Sequence, residues 1–190
     1  MNLQRIVLVT GPARSGKSEW AELLAMQSQQ PVVYVATAQA HPHDAEWQVR
    51  IAQHQRRRPP TWQTLSVPTD LVGAIASTRP DTCLLIDSLG TWLANVLDQD
   101  DATWCQTTAE LLQQLQQATC PIICVAEETG WGVVPAYPLG RLFRDRLGQL
   151  TRQIGAIADA VYLVTGGYAL NLTLLGTRLP PVALEETEKP

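Results

Sequence analysis

The stretch RIVLVTGPARSGKSEWAELLA, Arg5 to Ala25, runs from an apolar segment through a glycine-bounded loop into a helical pattern. Ile6 to Thr10 is a continuous apolar and β-branched run, which predicts a buried strand. Gly11, Gly16, Lys17 and Ser18 then fit G-x-x-x-x-G-K-[ST], with Pro12, Ala13, Arg14 and Ser15 between the glycines. Glycine lets the main chain close around an anion with its N–H groups inward, and the helix that starts there adds positive potential. In such a loop Lys17 reaches the β- and γ-phosphates of a nucleoside triphosphate and the Ser18 hydroxyl ligates Mg²⁺. The other reading, a glycine-rich turn that only caps a helix, is disfavoured because strand, loop and helix occur together.

Outward from this stretch the same alternation continues. VVYVAT (32–37), CLLID (83–87), PIICVAE (121–127) and AVYLVT (160–165) read as further buried strands, rich in Val, Ile and Leu as a parallel sheet covered on both faces requires. Helical patterns separate them. SEWAELLAMQSQ carries Trp20, Leu23, Leu24 and Gln27 at helix spacing; TDLVGAIAST starts at an expected N-cap, Thr69; LGTWLANVL (89–97) and TTAELLQQLQQA (107–118) follow. Strands and helices in alternation predict right-handed βαβ crossovers and a doubly wound α/β fold. After Thr165 the pair Gly166-Gly167 supplies the positive φ of a primed two-residue turn, so YALNLTLL is expected to return as one antiparallel edge strand. The expectation is a single nucleotide-binding domain over residues 1–179, with a flexible Pro- and Glu-rich tail over 180–190.

Composition narrows the partners. The 190 residues are 45% apolar and 17% charged with a net charge of −4, so no global basic footprint points to nucleic acid. The opening MNLQRIVLVTG is too short for a signal peptide or a membrane span, and a cytoplasmic protein is expected. Cys83, Cys120 and Cys124 lie in or beside apolar runs and no CxxC occurs, which suits small buried hydrophobes better than a zinc or redox site.

Two further features carry chemistry. Asp87 ends the apolar run LLID, where a P-loop protein needs a carboxylate near its metal; an aspartate there also suits a cap for the following helix. The stretch HPHDAEWQVRIAQHQRRRP reads as a helix on which His54 shares a face with Arg50, Ile51, Trp47 and Arg58. A neutral imidazole is a nucleophile, and flanking guanidinium groups would neutralise an attacked phosphoryl group. From spacing alone the favoured reading is a surface histidine in a basic helix, with Arg56, Arg57 and Arg58 as a solvated charge run. The HxH of His41 and His43 lacks a third ligand at a fixed spacing.

GPARSGKSEWAELLA, VVYVATAQ, RIAQHQRRRPPTWQT, LLIDSLGTWLANVL and EETGWGVVPAYPLGRLFRDRLGQL together resemble, in order and spacing, the bifunctional adenosylcobinamide kinase / adenosylcobinamide-phosphate guanylyltransferases, to about Thr165. The resemblance implies a RecA-like P-loop fold. It implies phosphorylation of the aminopropanol hydroxyl of adenosylcobinamide by GTP or ATP with Mg²⁺, then transfer of GMP from GTP through a guanylylated histidine. By resemblance that nucleophile is His54. Lys17 assists, and residues 11–18, Thr37, Ala38, Gln39, Gln55, Arg56, Arg57, Arg58 and Asp87 contact the nucleotide. Ser18 and Asp87 would hold the metal, and the assembly implied is a homotrimer with sites near subunit interfaces. Arg141 and Arg144 are candidates for phosphate contacts, with an ion pair to Asp145 or Glu128 as the alternative. The chain departs from the family pattern at Ser66, at Glu127-Glu128 and at Thr151-Arg152. Those departures keep a guanylyltransferase without the kinase step open, and a non-covalent GTP-binding regulatory module is the alternative of another class.

Overall fold

The structure, a computed structural model, describes residues 5–39 and 57–180. Its centre is a seven-stranded sheet: β1 (Ile6–Gly11), β2 (Val32–Ala36), β3 (Gln63–Ser66), β4 (Cys83–Asp87), β5 (Ile122–Glu127), β6 (Ala160–Thr165) and β7 (Tyr168–Asn171). The strand order is β3-β2-β4-β5-β1-β6-β7. Every pairing is parallel except β6 with β7, which is antiparallel. Gly166 and Gly167 form the turn between them at φ 58° and 82°, the two positive values a primed hairpin turn requires. The RecA-like, mostly parallel sheet with one antiparallel edge strand is therefore present.

Six helices lie among the described residues: α1 (Lys17–Gln27), α2 (Leu71–Ala76), α3 (Leu89–Asn95), α4 (Asp101–Gln117), α5 (Pro138–Ile157) and α6 (Leu172–Leu175). Alternate residues of each strand point to opposite faces, and each face has its own apolar cluster. One contains Ile6, Leu8, Leu84, Ile86 and Cys124 under Leu71, Trp92, Trp104, Leu111 and Leu150 of α2 to α5. The other contains Val7, Val9, Tyr34, Leu85 and Val125 under Ala21 and Ala25 of α1. The small residues Ala21 and Ala25 let α1 sit close to the sheet, with Trp20 and Leu24 packed beside them, while Leu23 is 45% exposed.

Three local readings change. The cap of α2 is Asp70, not Thr69: its carboxylate accepts the Gly73 amide at 2.8 Å. Helix α4 begins at Asp101, capped by Asp100, six residues before the expected start. The cap of α3 is Ser88, whose Oγ accepts the Thr91 amide, so Asp87 is released from capping. Cys83, Cys120 and Cys124 are buried free thiols; burial lifts Cys83 to about 11 and Cys124 to about 12, which keeps them protonated and inert. The segment 40–56, with His41, His43, His54, Gln55 and Arg56, and residues 181–190 lie outside the described residues.

Candidate active site

The carboxyl ends of the parallel strands form one edge of the sheet, the edge at which open α/β folds bind ligands. The loop Gly11–Gly16 leaves β1 there. Arg14 and Gly16 adopt positive φ, 59° and 93°, and such left-handed turns create concave nests of backbone N–H groups. Gly16 caps α1 with no side-chain hydrogen bond, leaving the first amides of the helix for an anion. A Cβ on Gly11 would overlap the carbonyl oxygen of Val164, so only glycine lets the loop pass this close to β6. The Ser15 hydroxyl is buried and has no hydrogen-bond partner among the described residues. A buried hydroxyl left so is costly unless a ligand completes it. Lys17 is only 8% exposed, and its Nζ donates to the Pro12 carbonyl at 3.4 Å, which curls it back over the loop.

One strand, β5, separates β1 from β4, so Asp87 ends about 10 Å across the edge from Gly11 at the usual strand spacing. Between them Glu127 ends β5 in register with Gly11, and the Glu128 amide donates to the Gly11 carbonyl at 2.9 Å. Glu127 accepts from the Ser88 hydroxyl and, at 3.0 Å, from the Gly90 amide. It thereby ties the turn after Asp87 to the strand beside the loop. Thr37 is fully buried; its hydroxyl donates to the Ser88 carbonyl at 2.8 Å and accepts the Ser88 amide at 2.9 Å. Asn95 Nδ2 donates to the carbonyls of Thr37 and Pro68 at 2.8 and 2.9 Å. The hydroxyl of Thr37 thus fastens β2 to β4, while Ala38 and Gln39 continue the chain just beyond it.

Asp87 accepts a hydrogen bond from Tyr34 Oη at 3.0 Å. Burial, followed by the nearby Asp87 charge, pushes the Tyr34 phenol well up, so it stays a donor. Arg58 Cζ lies 3.6 Å above the centre of the Tyr34 ring, a stacking that contributes about 0.5–2 kcal/mol, and its Nη1 donates to Thr64 Oγ1 at 3.3 Å. Arg57 pairs with Glu19 at 2.9 Å and Glu22 at 3.4 Å. Glu22 is buried on α1, and burial holds its carboxyl above the ordinary value against the pull of Arg57. The structure thus brings Lys17, Asp87, Arg57 and Arg58 around the start of α1 and the ends of β2 and β4. Arg141 instead donates to the carbonyls of Pro135 and Ala136 at 2.9 and 2.8 Å, and Arg144 pairs with Asp145 at 2.9 Å.

The sequence reading missed the roles of five contributors: Glu127, Ser88, Glu22, Asn95 and Tyr34. Glu127 and Ser88 look like ordinary strand-end and turn residues until the sheet order makes them neighbours. Glu22 has the spacing of a surface helix residue. Asn95, a lone amide inside the apolar run TWLANVL, was a legible signal, because a buried amide needs partners. Among the described residues no three His, Cys, Asp or Glu side chains come together to cage a metal.

A mostly parallel sheet with a phosphate loop after its first strand and a carboxylate two strands away defines a P-loop nucleotide-binding protein. The fold is shared at low identity with solved structures. The flagellar accessory protein FlaH of Methanocaldococcus jannaschii has a TM-score of 0.50 at 15% identity, covering 93% of this chain and 83% of that one. A protein of Pyrococcus horikoshii OT3 has a TM-score of 0.52 at 7% identity, covering 90% and 87%. Residues 7–172 match the sequence family described as cobinamide kinase / cobinamide phosphate guanyltransferase, and the chain belongs to that family. It is 41% identical over 167 residues to the bifunctional adenosylcobalamin biosynthesis protein CobP of Pseudomonas aeruginosa, covering 87% of this chain and 95% of that protein. It is 34% identical over 182 residues to the bifunctional adenosylcobalamin biosynthesis protein CobU of Escherichia coli K12, covering 88% and 99%. No described helix is long and apolar enough to cross a membrane.

Proposed function

We propose that this chain phosphorylates adenosylcobinamide and then transfers GMP from GTP to adenosylcobinamide phosphate, through a guanylyl group carried on His54. The observation that carries the reading is a nest-forming phosphate loop with a buried lysine and an unpartnered Ser15 hydroxyl, in a chain of this family. Lys17 and the amides of residues 11–18 hold the triphosphate. Ser18 and Asp87 would hold Mg²⁺, which when bound offsets the charge of the phosphates. Arg57 and Arg58, drawn toward the loop by Glu22 and Tyr34, add positive potential on the β2 side.

In the kinase step the aminopropanol hydroxyl oxygen attacks the γ-phosphorus, the bond to the β–γ bridging oxygen breaks, and the hydroxyl proton passes to solvent. In the transfer, a neutral imidazole nitrogen of His54 attacks the α-phosphorus of GTP and pyrophosphate departs. A phosphate oxygen of adenosylcobinamide phosphate then attacks that phosphorus, the P–N bond breaks, and adenosylcobinamide-GDP leaves with the histidine restored. The covalent route avoids direct attack of one phosphate anion on another. A homotrimer in the cytoplasm, built from one nucleotide-binding domain per chain, is part of the same proposal.

The test is covalent labelling. Protein incubated with Mg²⁺ and GTP labelled on its α-phosphate should retain label through denaturation, lose it in acid and keep it in alkali. Lysine phosphoramidates share that lability, so peptide mapping must place the GMP on His54. His54→Asn should abolish labelling and still phosphorylate adenosylcobinamide. Undiminished labelling of His54→Asn would remove the covalent route.

A further inference from the structure

We propose that Tyr34 is the positioning residue of the metal-binding carboxylate: its phenol holds one oxygen of Asp87, leaving the other for the cation of the bound nucleotide, and Arg58 holds the Tyr34 ring. The inference rests on reading Asp87 as a metal ligand. Tyr34 stands opposite Leu85 in the β2–β4 register and Ala36 opposite Asp87. Asp87 therefore lies two residues beyond the partner of Tyr34, on the same face of the sheet, at the diagonal separation an aromatic side chain spans. The phenol reaches Asp87 Oδ2 at 3.0 Å.

The contact is directional. Tyr34 is 5% exposed, and a tyrosine so buried needs a partner for its hydroxyl. That partner is the carboxylate whose alternative role as a helix cap Ser88 has taken over. A neutral donor on Oδ2 fixes the carboxylate plane without cancelling its charge, which a guanidinium in the same place would do. The ring is fixed in turn. The Arg58 guanidinium carbon sits over it, 3.6 Å from its centre, and Arg58 Nη1 donates to Thr64 Oγ1 on β3 at 3.3 Å. Arg58 therefore acts on the metal site through Tyr34. Partners behind metal ligands are worth about 10–100-fold in metal affinity elsewhere.

Mn²⁺ in place of Mg²⁺ gives a readout other than turnover. Free Mn²⁺ is followed by electron paramagnetic resonance as it is titrated into the protein carrying a non-hydrolysable GTP analogue. Tyr34→Phe keeps the ring and the stacking, and should weaken Mn²⁺ about 10-fold while leaving metal-free analogue affinity as in the wild type. Asp87→Asn should weaken it at least as much, and adding Tyr34→Phe to that variant should cost nothing more, because the phenol acts through the carboxylate. Arg58→Lys keeps the charge but loses the planar stack, and should shift Mn²⁺ in the same direction by less. Wild-type Mn²⁺ affinity in Tyr34→Phe, or fully additive losses in the double variant, would overturn the proposal. If Asp87→Asn itself binds Mn²⁺ normally, the metal reading of Asp87 falls and this proposal with it, whereas the guanylyl-histidine stands or falls separately on the labelling of His54.

Discussion

The hydroxyl of Thr37 both donates to and accepts from the backbone of Ser88, at 2.8 and 2.9 Å, across 51 residues of sequence. Just beyond the parallel pairing of Ala36 with Asp87, this one buried side chain extends the link between the two strands that carry Tyr34 and Asp87. Valine has nearly the same shape but satisfies neither backbone group. The Ser88 carbonyl keeps the Trp92 amide, which donates to it at 3.0 Å, so the variant leaves one buried amide unpaired, at a cost of about 1–3 kcal/mol. Thr37→Val should therefore lower the free energy of urea unfolding by at least about 1 kcal/mol, with the midpoint shifted and the slope unchanged. A variant as stable as the wild type would show that the backbone pairing of β2 with β4 holds these ends without the Thr37 hydroxyl.

Much of this fold was legible, for a definite reason. Ile6–Gly11, Cys83–Asp87 and Ile122–Glu127 are almost wholly buried, and a strand covered on both faces must be written as an apolar run. The exception is β3. Gln63–Ser66 is exposed at all four positions and holds to β2 as an edge strand through backbone pairing, so no apolar pattern announces it. The cap of α2 failed differently: Thr69 and Asp70 are both good caps, and only the folded geometry chooses between neighbours. In the candidate site, the loop residues carry their chemistry in a local pattern and were readable as such. Glu127, Tyr34 and Glu22 were not, because their roles come from strand order and helix packing between residues far apart in the chain.

Glu22 gives the site a pH signature. Burial raises its carboxyl pKa from the ordinary 4.5, so over a window above 4.5 the folded protein holds a proton that the unfolded chain has released. Stability contributed by this group is thus present below the window and declines as pH rises through it. Glu22→Gln removes the titration. Unfolding free energies of wild type and variant, measured from pH 4 upward, should differ by an amount that moves against the wild type as pH rises from about 4.5 and then levels off. A difference constant with pH would show that Glu22 titrates as it does in the unfolded chain, with Arg57 offsetting its burial in full.

Lys17 tests whether one loop serves both reactions. The residue is almost fully buried and its Nζ donates to the Pro12 carbonyl, held over the loop that the triphosphate would occupy in either step. In the kinase step charge develops at the β–γ bridge, and in guanylyl transfer on the departing pyrophosphate; the same cation faces both. Losing one such charge-assisted contact costs about 10²–10³ in rate. Lys17→Ala should therefore depress phosphorylation of adenosylcobinamide and labelling by α-labelled GTP by comparable factors. The fold should survive, since alanine favours the first turn of α1 and a buried charge is removed with its desolvation cost. Circular dichroism checks the fold, and the two rates are measured on the same preparation. Kinase turnover that collapses while guanylyl transfer proceeds at the wild-type rate would mean that GTP for the transfer binds outside the Gly11–Ser18 loop.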